Sequence, residues 1–280
     1  MSAAGGDRRL GPLRREAVKL LAQKRTFIGA GGLILVPIIF AVGLYLSGHN
    51  GGERNSGDTA IFMLHTFANG LYVPLAALAG MSFFLLPLAA SMVGGNMVAG
   101  EAEHGTLRTI LVRPVDRGAV LLAKWAAAVI YLAIVLILVA SAGIISGWIF
   151  FGIHPMLVIG GTVSVAYALW LILLSCALAL AFLTCVISLA MLFSVITNSS
   201  LAAAVLTMVI ILVVQIVLQF NYFKAWRPYW FFNHFDAWFS LYRRPVDYGV
   251  IRSGLLAFAA YSVGAMALAW LAFRRRDILS

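Results

Sequence analysis

The chain has 280 residues, 62% of them hydrophobic and 11% charged, with mean hydropathy +0.98 and a formal net charge of +10. Soluble domains carry about 45–50% apolar residues, so the excess here cannot be buried in one aqueous core and has to face lipid. A β-barrel is excluded as well, because barrel strands of about ten residues alternate in polarity, whereas the apolar runs here are unbroken.

In chain order, residues 1–26 form a polar, basic segment. Residues 1–10 are rich in Gly and Arg, and a helical pattern follows from Pro12 to Phe27. Leu13, Ala17, Leu20, Leu21 and Lys24 trace one face, while Arg14, Arg15, Lys19 and Arg25 crowd the others. Such a basic amphipathic helix lies in the membrane interface, its stems along lipid and its charges in water; a solvated leader is the alternative. The apolar run that follows is too long for a signal-peptide core and reads as a retained span.

Apolar stretches of about 20 residues cross a hydrocarbon layer as helices. Six are expected, near 27–47, 71–97, 119–150, 160–190, 200–220 and 253–273. The expected fold class is therefore all-α membrane protein, with a six-helix transmembrane domain over 27–273 and a tail at 274–280. The second stretch carries Pro74 and Pro87, and proline inside a span removes a hydrogen bond and kinks the helix unless neighbours compensate. Cys176 and Cys185 share the fourth span; at about 1.5 Å per residue they stand about 13 Å apart on opposite faces, too far for a disulfide.

Arg8, Arg9, Arg14, Arg15, Lys19, Lys24, Arg25, Arg108, Arg113, Arg117, Lys124, Arg274, Arg275 and Arg276 fall on one side of this topology. Arg54, Lys224, Arg227, Arg243, Arg244 and Arg252 fall on the other, fourteen against six. By the positive-inside rule the richer side is cytoplasmic, and an even span count puts both termini there. The basic balance is thus a matter of orientation, and nucleic acid is not the expected partner.

Between the fifth and sixth spans, eleven of the 21 positions from 222 to 242 are aromatic. Phe231, Phe235, Trp238, Phe239 and Tyr242 fall at i, i+4, i+7, i+8 and i+11. That spacing predicts an amphipathic helix in or dipping into the outer leaflet, as an anchor or as part of an exit gate, since Trp and Tyr favour the headgroup level.

All ten acidic residues lie outside the expected hydrocarbon zone. Ion-coupled carriers bury ionisable groups at the midplane, so gradient coupling is disfavoured. Polar groups within the spans are mild: Asn69, Asn96, Gln215 and Gln219, with Gln215 and Gln219 on one face of the fifth span. Together with Phe231, Phe235 and Trp238 they are the candidates for a substrate path. No G-x-x-x-x-G-K-[ST] phosphate loop is present, and no catalytic or metal-binding constellation is assembled by the five dispersed histidines.

One charged island interrupts the apolar sequence. Glu101, Glu103, Arg108, Arg113, Asp116, Arg117 and Lys124 place seven of thirty charged residues within 24 positions. Gly105 breaks the preceding helix and Thr106 caps a new one. Leu107, Ile110 and Leu111 give that short element an apolar face, and Pro114 ends it. A short, charge-flanked helix held at the surface by a span on each side suits a soluble partner's grip.

At these residues the sequence resembles the type-2 ABC transporter permease family, whose pattern runs E-x-E-x-G-T-L, a Leu/Ile run, P-V-x-R, then a Lys opening the next span. Glu101, Glu103, Gly105, Thr106, Leu107, Pro114, Val115, Arg117 and Lys124 match in order. Phe273-Arg274-Arg275-Arg276-Asp277-Ile278 is similar to the family's F-x-R-R-D-I ending. The resemblance implies six spans, an N-terminal elbow, a short cytoplasmic coupling helix and re-entrant helices between the last two spans. It also implies a permease dimer, homomeric or formed with a paralogue, in a bacterial cell membrane. Two separate ABC ATPase subunits would hold ATP and Mg, and this chain would bind no cofactor. Glu101, Glu103, Gly105, Thr106, Leu107, Arg108, Arg113, Pro114 and Arg117 would form the ATPase-coupling segment of an exporter for a hydrophobic or amphipathic substrate such as a lipid, drug or antibiotic. A gradient-driven carrier, or a membrane scaffold or enzyme without an ATPase, is the alternative.

Overall fold

The computed structural model describes residues 24–49, 69–103, 117–159 and 161–275. Most of the expected elbow and the segment from Gly105 to Pro114 lie outside the described residues; Lys24–Phe27 open the first helix. Among the described residues, eight α-helices run in order: α1 (Lys24–His49), α2 (Tyr72–Ser82), α3 (Leu85–Asn96), α4 (Ala99–Glu103), α5 (Arg117–Phe151), α6 (Val165–Ile196), α7 (Ser200–Val217) and α8 (Tyr248–Arg275). Five of them are long and apolar enough to cross a membrane, and α2 with α3 makes a sixth if the bent pair is counted as one span. At about 1.5 Å per residue, α5 and α6 reach about 50 Å, so both outrun a hydrocarbon layer of about 30 Å.

The two prolines of the second stretch act differently. Pro74 stands in the first turn of α2, where a missing N–H leaves nothing unpaired. Pro87 cannot donate to the carbonyl four residues earlier, at Phe83, and its ring clashes there. The chain breaks at that point: Phe84 leaves helical geometry at φ −133°, ψ −54°, and α2 and α3 meet at 61°. Leu88 N–H donates to the Phe84 carbonyl at 2.9 Å and starts the helix afresh.

α6 is the most buried of the spans and the hub of the bundle, packing on α8, α3, α5 and α7. Close approach to it depends on missing side chains. A Cβ at Gly94 would lie 2.8 Å from the Ala190 Cβ and 2.9 Å from the Ile187 carbonyl, and one at Gly95 would lie 3.0 Å from the Ala204 nitrogen. The α3 backbone is therefore wedged between α6 and α7. The inner face of the bundle is lined by residues such as Leu132, Leu183, Val186 and Met191, while α1 contributes few buried side chains beyond Leu33, Ala41 and Leu44.

Two expectations are corrected. The fourth span does not begin at residue 160: β1 (Met156–Val158) and β2 (Gly161–Val163) pair antiparallel there, and α6 opens only at Val165, with Ser164 as its cap. Ile159 continues the ribbon to a third stretch of chain, accepting from Arg244 N–H at 2.8 Å and donating to the Tyr242 carbonyl at 3.0 Å. Nor is the aromatic region one amphipathic α-helix. It forms three 3-10 turns, Asn221–Tyr229, Phe231–His234 and Ala237–Tyr242. Pro228 removes a donor, and Trp230 is extended at φ −81°, ψ 122°, which ends the first turn. Because 3-10 geometry repeats at about three residues per turn, the expected stripe is split: Phe231, Trp238 and Tyr242 are buried, whereas Phe239 is exposed. Phe232, outside the stripe, is fully buried.

Candidate functional site: a braced helix end and an aromatic insert

Glu101, Glu103 and Lys124 of the charged island act as internal fasteners. Met97 and Val98 interrupt the helix between α3 and α4, and Ser194 of α6 repairs the gap. Its hydroxyl donates to the Gly95 carbonyl at 2.6 Å and accepts from Val98 N–H at 3.1 Å and Ala99 N–H at 2.8 Å. Just beyond, Glu101 Oε1 meets Lys124 Nζ of α5 at 2.7 Å, with the two side chains only 15% and 3% exposed. At that burial the pair is desolvated, and losing one partner of such a pair costs about 3–5 kcal/mol.

Glu103 turns the other way. Its Oε2 accepts from the Ser200 backbone N–H at 3.2 Å and from the Ser200 hydroxyl at 2.9 Å. Ser200 is the first residue of α7, and Ser199 caps the same helix end by accepting from Ala202 N–H at 3.4 Å. A carboxylate at a helix N-terminus satisfies orphan donors and complements the helix dipole. Nearby, Trp125 of α5 donates from Nε1 to the Ser188 hydroxyl of α6 at 2.9 Å. The result ties the ends of α3/α4, α5, α6 and α7 together.

Of the residues expected in the coupling segment, Glu101 and Glu103 are placed as above and Arg117 opens α5. Gly105, Thr106, Leu107, Arg108, Arg113 and Pro114 lie outside the described residues. Sequence reasoning missed the partners Ser194 and Ser200, whose small hydroxyls look like ordinary span residues. The only hint was the position of Lys124 inside an apolar run, where a cation needs a counter-charge.

The aromatic insert packs on α6 away from the braced end, between Phe182 in its middle and Ser175 nearer its start. Phe182 touches Phe232 at 5.3 Å between ring centroids, Phe258 at 5.7 Å, Phe231 at 5.9 Å and Phe235 at 6.4 Å. Trp238 is buried, stacked on Phe239 at 3.9 Å, and Tyr242 shares a 3.0 Å hydrogen bond with the Ser175 hydroxyl of α6. Between α7, the insert and α8 lies an apolar crevice of about 220 Å³ lined by Val214, Leu218, Phe223, Trp226, Tyr229, Trp230 and Tyr261.

The expected path residues are scattered. Asn69 is buried and bonded to backbone: its Nδ2 donates to the His154 carbonyl at 2.6 Å and its Oδ1 accepts from Leu71 N–H at 3.1 Å. Asn96 ends α3 with its side chain folded against Gly100. Gln215 is half-buried on α7, one residue from the crevice lining. Gln219 accepts through its backbone carbonyl from Arg227 Nη2 at 3.1 Å, and Arg227 Nε also donates to the Leu218 carbonyl at 2.5 Å, capping the C-terminus of α7. Phe231 and Phe235 meet on Phe182, while Trp238 packs with Phe239 and Tyr242; Asn69, Asn96 and the glutamines are not gathered with them.

Fold and site define a multi-pass α-helical membrane protein, most of its spans gathered on one central helix, with a braced end and an aromatic insert entering from the other side. A profile of the ABC-2 family transporter proteins matches residues 20–278. The chain belongs to that family, whose members are membrane subunits rather than ATPases. Over 51 residues it is 41% identical to the "Probable ABC transporter permease protein NosY" of Stutzerimonas stutzeri, a stretch that is 18% of each chain. The chain thus matches well under two thirds of that relative's length.

Proposed function

We propose that this chain is the permease subunit of an ATP-driven exporter. It works as a dimer with a second permease copy and is driven by two separate ABC ATPase subunits that hold ATP and Mg. The observation that carries this reading is the family match across nearly the whole chain, joined to a brace at both feet of the segment between Glu103 and Arg117. That segment is the docking element for the ATPase, and its end of the bundle is cytoplasmic, as are both termini. ATPase closure favours one arrangement of the spans over the other, and differential affinity for the two arrangements is what couples hydrolysis to transport.

The substrate class is apolar or amphipathic. The aromatic crevice supports this. So does the absence of a spare buried charge: among the described residues, Lys124 is the one buried cation, and Glu101 neutralises it. A coupling ion would need such a group free at mid-depth. The test is purification of the tagged chain in mild detergent, followed by assay of Mg-ATP hydrolysis in the co-purified complex. An associated ATPase is expected, and Gly105→Pro should abolish its stimulation while leaving the permease inserted. Transport by the purified chain alone, in sealed vesicles without an ATPase, would overturn the reading.

A further inference from the structure

We infer that Glu101 and Glu103 are positioning residues that join three spans into one rigid block, and not contacts for the ATPase. Consecutive helical residues are about 100° apart, so positions i and i+2 point to nearly opposite sides, whereas neighbours on one face are three or four apart. An acidic surface for a basic partner would place its carboxylates on one face. Glu-x-Glu on α4 does the reverse and sends each carboxylate to a different span.

Glu101 reaches Lys124 on α5 at 2.7 Å, and Glu103 reaches the first residue of α7 at 2.9 Å and 3.2 Å. α4 cannot slide, because Ser194 holds the Val98 and Ala99 N–H groups at its start from the α6 side and Gly94 and Gly95 leave no free space against α6 and α7. Glu101 stands before the segment 104–116 and Lys124 stands after it. Their ion pair therefore closes the base of that segment, and a load applied there reaches α3, α5 and α7 together. This mechanical consequence rests on the proposed ATPase coupling; the brace itself does not.

The first measurement decides the brace without any ATPase. Unfolding midpoints of the full chain in lipid nanodiscs are compared for Glu101→Leu, Lys124→Met and the double variant. Each single change takes the 2.7 Å counter-charge from a buried ion and lowers the midpoint, while the double variant recovers most of the loss, since removing both ions is far cheaper than removing one. Additive losses, or no loss in either single variant, overturn the inference.

The second reads rigidity. Leu122 on α5 and Leu201 on α7 are exposed at 58% and 66% and accept spin labels as Leu122→Cys and Leu201→Cys, with Cys176 and Cys185 replaced by alanine. In a complex assembled with the labelled chain diluted into an excess of unlabelled copies, one intramolecular interlabel distance is expected, unchanged between nucleotide-free and Mg-ATP-trapped states. It should broaden with Glu101→Leu and return to one distance when Lys124→Met is added. A shift on trapping in the otherwise unchanged protein overturns the single block. Failure to obtain any complex counts against the proposed function alone, and the midpoint cycle still decides the brace.

Discussion

Phe83 and Phe232 meet edge to face, with ring centroids 6.0 Å apart and planes at 86°. Phe83 sits at the break of the second span and Phe232 in the middle 3-10 turn of the aromatic insert. Phe232 in turn lies against Phe182, which is seventeen residues from the start of α6 at Val165 and fourteen from its end at Ile196. The two interruptions of regular helix therefore meet near mid-depth of the bundle. Non-helical backbone is tolerated at that depth only when buried in protein or lining a cavity, with its polar groups satisfied internally. The insert's backbone makes its own short-range bonds, such as Asn233 N–H to the Trp230 carbonyl at 3.1 Å and Phe235 N–H to the Phe232 carbonyl at 3.2 Å.

Phe232→Ala should therefore destabilise the protein by about 3–5 kcal/mol, the range for truncating a buried aromatic ring. Tyr222→Ala, at a ring 88% exposed, should change stability by less than about 0.5 kcal/mol. Chemical unfolding in matched detergent micelles compares the two. Equal losses would mean that the insert is not anchored by Phe232.

Gly94 and Gly80 should respond in opposite directions to alanine. At Gly94 the new Cβ would press on the Ala190 side chain and the Ile187 carbonyl, whereas at Gly80 nothing lies within 4 Å. Overpacking costs about 1–3 kcal/mol, and relieving glycine's entropy in a helix gains about 0.5–1 kcal/mol. Gly94→Ala should thus lower the unfolding midpoint and Gly80→Ala raise it. A rise in both would show that α3 can move off α6.

What the sequence made legible follows from the reach of each signal. Five spans were readable because uninterrupted apolarity is local and lipid demands it. The break between α2 and α3 was announced by Pro87, whose missing N–H acts four residues away. The insert was readable as aromatic but not in its shape, since α and 3-10 periods differ by little over five positions and only burial against Phe182 selects between them. The hairpin at Met156–Val163 escaped because six residues of strand leave too short an alternation to separate from the end of a span. In the charged island, the acids and Lys124 were visible, but their pairing joins residues 23 and 97 positions apart. A pattern read along the chain shows which charges exist; three-dimensional packing decides whether they face a partner or one another.

Ser194→Ala should loosen the braced end. One hydroxyl there serves Gly95, Val98 and Ala99, and its loss leaves buried backbone groups unpaired at the α3–α4 junction. Each unsatisfied buried group costs about 1–3 kcal/mol. Amide exchange by mass spectrometry should rise in the peptide holding Val98 and Ala99, while peptides from the aromatic insert stay unchanged. Unaltered exchange at Val98 and Ala99 would mean that the junction is held by packing alone.

Asn69 distinguishes a polar group that supports the fold from one that serves a passage. Its amide nitrogen donates to the His154 carbonyl at 2.6 Å, and its oxygen accepts from Leu71 N–H at 3.1 Å and, more weakly, from His154 N–H at 3.4 Å. Next to it, Gly70 N–H donates to the Gly152 carbonyl at 2.9 Å, and the Gly70 and Gly147 backbones are in direct contact. The amide therefore fastens the start of α2 to the chain leaving α5, and little of its hydrogen-bonding capacity remains for a passing molecule. Asn69→Leu keeps the volume but removes both functions, stranding buried backbone groups at a cost of about 1–3 kcal/mol each. The unfolding midpoint should fall while the relative rates for different transported molecules stay in proportion. A change in selectivity with the midpoint preserved would place Asn69 on the substrate path after all.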